Sequence, residues 1–172
     1  MKNFSKLSFL LLSTILLFNA CKKDDPTPED ENELISQVKI EFTDSLGQQT
    51  YSWKNGKSDT INLAKNQKYT TKVYFYSLDK EQNNIDITNE ISEENDQHQL
   101  FYTTNPSDLL STTYEDQDIN GLPLGLSMSM MTTNESKTGT LRIQLKHYAV
   151  EKDGKPSSGS TDADVNFNVK IQ

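Results

Sequence analysis

This chain of 172 residues is poor in the residues on which most chemistry rests. It has one cysteine, which excludes an internal disulfide framework. It has one arginine, Arg142, so no cluster of guanidinium forks can grip phosphates. With a net charge of −8, the chain repels a nucleic-acid backbone, and nucleic acid is excluded as a partner. Glycine is sparse, and no phosphate-cradling loop or Gly-x-Ser-x-Gly elbow is present. The two histidines stand in no recognisable catalytic motif. These absences together point away from an enzyme. Alanine is scarce and no helical period is sustained, which argues against a helical bundle. No apolar run approaches the roughly 20 residues of a membrane-spanning helix.

What the chain does have begins at its N-terminus. Lys2 and Lys6 precede an apolar run from Leu7 to Phe18, and small Ala20 precedes Cys21. A run this short, followed at once by polar residues, reads as a cleaved signal covering residues 1–20. Ala20-Cys21 resembles the lipobox of bacterial lipoproteins, which implies lipid (palmitate) on Cys21 and attachment to a membrane. A lipid thioether also accounts for a lone cysteine in a secreted chain. Residues 21–33 hold Pro26, Pro28 and a series of acids, and form an extended, self-repelling, disordered tether. Lys22-Lys23-Asp24-Asp25 resembles the signal that sends lipoproteins of Bacteroidetes-like bacteria to the outer face of the outer membrane. Loss of residues 1–20 removes two lysines and takes the net charge from −8 to −10.

Residues 34–172 carry short alternating segments. Val38, Ile40 and Phe42 alternate with polar neighbours; Tyr51 and Trp53 follow, and Asn55-Gly56 makes a turn. Tyr69 to Ser77 is apolar on both faces and predicts a central strand. Further strands are expected at Ile85–Ile87, His98–Thr104, Thr112–Tyr114, Leu124–Met130, Leu141–Leu145 and Val165–Ile171. Asn89–Gln97 reads as a polar connection with one helical turn, and Glu151–Asp164 as a long loop. Leu63 and Tyr69 stand six residues apart, a spacing that resembles the tyrosine corner of immunoglobulin-like domains. The expected fold is all-β, an antiparallel immunoglobulin-like β-sandwich of eight or nine strands, with a barrel as the alternative.

The segments ITNEISEENDQHQLFYTT, YEDQDINGLPLGL and TGTLRIQLKH resemble a group of small Bacteroidetes lipoproteins. Some of these are labelled as type 1 periplasmic-binding folds. The strand pattern here lacks the alternating helices of that fold, and the resemblance implies no catalytic residue.

Three constellations carry candidate chemistry. Asp116-x-Asp118-x-Asn120-Gly121 matches the first half of a calcium loop, although Ser127 stands where a bidentate glutamate belongs; a hairpin tip is the simpler reading. Glu93, Glu94, Asp96 and His98 form an acidic cluster with one imidazole, and His147 continues the parity of Leu141 at a strand end. Trp53, Tyr74 and Tyr76 are candidates for a carbohydrate-stacking platform, with Trp53 in the core as the alternative. The expected function is a lipid-anchored envelope module that binds a glycan or an envelope protein. The alternatives are a structural subunit that uses an open edge strand, Ile85–Ile87 or the C-terminal strand, and a calcium-stabilised adhesion-type domain.

Overall fold

Successive side chains of a strand point to opposite faces, so alternating sequences bury one face and wet the other. That rule builds most of this molecule. The structure, a computed structural model, describes residues 34–172. The expectations for the signal at 1–20, for Cys21 and for the tether to residue 33 lie outside the described residues.

Two sheets form. The larger contains β1 (Ile35–Asp44), β2 (Gly47–Lys54), β3 (Lys57–Ser58), β5 (Lys68–Leu78), β6 (Asn84–Asp86), β8 (Leu110–Tyr114) and β9 (Ser127–Thr132). Its order is β3-β2-β1-β5-β9-β8, with β6 also paired to β5. The smaller contains β4 (Thr60–Leu63), β7 (His98–Asn105), β10 (Lys137–His147) and β11 (Ser160–Ile171), in the order β4-β11-β10-β7. A single short helix, α1 (Thr88–Glu93), is found among the described residues. The fold is an all-β sandwich; two separate sheets rule out the barrel.

The core lies between the inner faces. Val38, Ile40, Phe42, Val73, Phe75, Met128 and Met130 come from the larger sheet, and Leu100, Leu141, Ile143, Leu145, Val165, Phe167 and Val169 from the smaller. Each fully buried side chain of this kind contributes about 1.5–3 kcal/mol. Where the chain crosses from β4 to β5, the Tyr69 hydroxyl accepts a hydrogen bond from the Ala64 amide at 3.0 Å, and the ring is buried. This is the tyrosine corner expected from the Leu63–Tyr69 spacing. The Asn55-Gly56 turn joins β2 to β3 with both residues at positive φ, as a tight hairpin turn requires.

Four expectations are corrected. The strand count is eleven among the described residues, because two-residue β3 has no alternation to announce it and four-residue β4 offers only the pair Ile61 and Leu63. The sandwich is not wholly antiparallel, since β4 runs parallel to β11. The segment expected at Leu124–Met130 is strand only from Ser127, because Gly125 adopts φ +95° and breaks the run. The C-terminal strand is no open edge: β11 lies between β10 and β4.

Candidate functional site

Three neighbouring strands of the smaller sheet bring a pair of imidazoles and a carboxylate together. His98 opens β7 and His147 closes β10, and the antiparallel register sets them directly opposite each other. Their rings stack with centroids 4.7 Å apart and planes 19° apart. The third group comes from an irregularity. Leu145 pairs with Ala163, but Lys146 pairs with Thr161, which leaves Asp162 as the extra residue of a β-bulge. His98 Nε2 lies 3.7 Å from Asp162 Oδ2, and the two side chains are only 4% and 1% exposed. One ligand atom from each of His98, His147 and Asp162 lies within 4.8 Å of the other two.

Burial governs the charge states. Desolvation is the largest influence on His98 and lowers it to about 4, against the raising effect of its bond to Glu94, so the ring is neutral at neutral pH. His98 Nδ1 is 3.2 Å from the Glu94 carbonyl oxygen. A carbonyl can only accept, so Nδ1 carries the proton and Nε2 keeps a lone pair. Desolvation raises the Asp162 carboxyl to about 6, with His147 and Lys146 pulling the other way. Neither buried oxygen of Asp162 accepts a hydrogen bond from the described residues. A buried polar group in that condition is costly. Two imidazoles and one carboxylate are the donor set that suits a borderline divalent metal ion. Of the acidic cluster expected around His98, Glu93 and Asp96 are exposed, and the Glu94 carboxylate stands 3.7 Å from His98 Nδ1, beyond hydrogen-bonding distance.

Close by, Lys152 ties three segments into one piece. Its side chain is 1% exposed, and its Nζ donates to the carbonyls of Asn95 (2.7 Å), His98 (3.1 Å) and Pro123 (3.0 Å). The same ammonium is 2.9 Å from Asp118 Oδ2. Burial pushes the Asp118 carboxyl up, but Lys152 and the amides of Leu122 and Asn120 outweigh it and hold the group below its ordinary value.

The same arrangement shows where Asp116, Asp118 and Asn120, the residues of the calcium-loop pattern, stand. The Lys152 ammonium pairs with Asp118 Oδ2, and Asp118 Oδ1 accepts from the amides of Asn120 and Leu122. Asp116 turns its two oxygens to the amides of Gly125 and Ser127. Asn120 is exposed at a turn closed by the Gly121 amide on the Asp118 carbonyl.

The aromatic platform also divides. Tyr74 and Tyr76 share the outer face of β5, both half-buried. Tyr74 donates to Glu41 Oε2 at 3.0 Å, and Lys39 Nζ donates to the Tyr76 hydroxyl at 3.2 Å while lying 4.5 Å from its ring centroid. Trp53 pairs with buried Val38 and packs, half-buried, against the core on the opposite face.

Reading the sequence missed Asp162 and Lys152, because both fall in the stretch assigned to a long polar loop. The structure begins β11 at Ser160 instead. The alternation of Ala163, Val165 and Phe167 carries the strand back that far, but nothing in it marks the bulge.

No family model and no curated protein sequence matches the chain. Among solved structures, it is similar to domains 4 and 5 of the S-layer protein SbsC, at 12% identity and a TM-score of 0.33. The match covers 72% of this chain and 63% of that one.

Proposed function

We propose that this chain is a lipid-anchored module of the cell envelope, held on the outer membrane and acting by binding rather than by catalysis. The observation that carries this reading is the run from Leu7 to Cys21: a short apolar segment behind two lysines, ending at the sole cysteine and followed by a proline-rich acidic tether. Each buried acyl methylene contributes about 0.8 kcal/mol, so two or three chains on Cys21 hold a protein on a membrane, where a single chain is marginal. The tether then gives residues 34–172 reach from the bilayer surface. For contacts with an envelope protein or glycan, the outer face bearing Tyr74 and Tyr76 offers flat apolar area with polar handles.

The test is metabolic labelling. Wild-type protein should incorporate labelled palmitate and partition into the detergent phase, and Cys21→Ser should do neither. Mature wild-type protein with an unmodified Cys21 thiol would overturn the reading.

A further inference from the structure

We infer that His98, His147 and Asp162 bind one divalent first-row transition ion of the zinc class. The inference rests on the geometry of the described domain and is independent of the anchor.

The first argument is the contact between His98 and Asp162. The Nδ1 proton of His98 is directed to the Glu94 carbonyl, so Nε2 presents a lone pair. It faces Asp162 Oδ2, another acceptor, at 3.7 Å, and neither Asp162 oxygen receives a hydrogen bond from the described residues. Two buried acceptors facing each other at that distance are relieved by a positive charge between them. The neighbouring charges belong to the cluster or are engaged beside it: His147 and Lys146 both act on the Asp162 charge, Lys146 Nζ donates to Thr161 Oγ1 and the Gly159 carbonyl, and Lys152 is matched to Asp118 and three carbonyls.

The second argument is size. A tetrahedral ion with bonds of about 2.1 Å sets its ligand atoms about 3.4 Å apart. The His98–Asp162 separation is already close to that edge. The widest separation in the cluster, at most 4.8 Å, closes with a shift of about 1.4 Å shared between two side chains.

The third argument is support. A ligating histidine usually donates its other ring N–H to a carbonyl or carboxylate, which fixes tautomer and orientation. His98 does so already. All three residues stand on hydrogen-bonded neighbouring strands, and the bulge that presents Asp162 is part of that ladder. Three protein ligands leave a coordination position for water or a ligand atom of a partner. Calcium fits poorly, because it takes six to eight oxygen ligands and this cluster offers one carboxylate.

The experiment uses the full chain, without a histidine tag, purified in detergent and stripped with a chelator. Equilibrium dialysis against zinc chloride, with the metal counted by mass spectrometry, should give one ion per chain, and zinc should raise the melting temperature. Cobalt(II) in place of zinc should show the intense visible bands of a tetrahedral site. Asp162→Asn and His147→Gln should each weaken zinc binding by more than about tenfold, while Asp164→Asn, at the exposed neighbour, leaves it unchanged. Asp162→Asn also removes a buried charge, so its metal-free form should melt no lower than metal-free wild type, which separates lost binding from lost folding. A wild type that retains no stoichiometric zinc would overturn the inference. So would zinc held equally by wild type, Asp162→Asn and His147→Gln, as binding to the acidic tether would give, or a preference for calcium over zinc.

Discussion

Lys152 shows how far a single residue can sit from what its surroundings in the sequence suggest. It lies between Glu151 and Asp153 in a stretch rich in glycine, serine and aspartate, yet its ammonium is buried against Asp118 and three carbonyls. Removing one partner of a buried pair leaves the other charge uncompensated, at about 3–5 kcal/mol. Asp118→Asn and Lys152→Met should each destabilise the domain by that order in urea unfolding at neutral pH. The pH dependence has a definite sign. The folded state holds the Asp118 carboxyl below its ordinary value, so the contribution is complete above the ordinary carboxylate range and is lost as pH falls through the folded value. The gap between wild type and Asp118→Asn should therefore be widest at neutral pH and close on acidification. A gap that stays constant down to strongly acidic pH would show that the pair is not the source of the loss. Tyr69, by contrast, was legible, because the tyrosine corner has a local spacing to Leu63. The Lys152 pair was not, since Asp118 and Lys152 are 34 positions apart and alternation says nothing about loops that meet in space.

Among the elements, those with one buried face were the readable ones. β1, β5, β10 and β11 alternate cleanly, and the structure places their apolar positions inward. Pairing order was not readable, because it depends on which strands cross between sheets: β4 lies parallel to β11 although more than a hundred positions separate them. The Leu124–Met130 assignment shows a second limit, since alternation persisted across Gly125 while the backbone did not. The bulge at Asp162 is a third. It adds one residue to β11 opposite Lys146, and a side chain that would otherwise follow the ladder joins His98 and His147. Gly139 in β10 tests packing at this scale. A Cβ there would stand 2.3 Å from the Asn105 carbonyl oxygen and 2.9 Å from both Leu109 Cδ2 and Pro106 Cδ. Backbone cannot yield as a flexible side-chain tip does, so Gly139→Ala should destabilise by about 1–3 kcal/mol. An unchanged urea midpoint would mean that the β7–β10 approach is looser than this contact requires.

For the whole molecule, the question is whether the anchored part and the folded part are separable. The described residues, 34–172, form one compact unit whose core joins the two sheets. Among the described residues no helix is long and apolar enough to cross a membrane. Their exposed large apolar side chains, such as Leu46, Ile119 and Val150, come from different turns and loops. The larger sheet ends in two-residue β3 on one side and, on the other, in three-residue β6 and in β8, where Ser111, Thr112 and Thr113 are exposed; short or polar edges of this kind discourage strand addition by another chain. A chain beginning at residue 33 therefore keeps every inward-facing residue of the sandwich and loses only the segment read as signal and tether. Expressed in that form, it should stay in solution without detergent, sediment as a monomer, and unfold in one cooperative transition by both far-ultraviolet and near-ultraviolet circular dichroism. A fragment that keeps its far-ultraviolet signal but lacks a near-ultraviolet one would be a loosely packed state. The fold would then depend on residues before 33, and the division into anchor, tether and sandwich would fail.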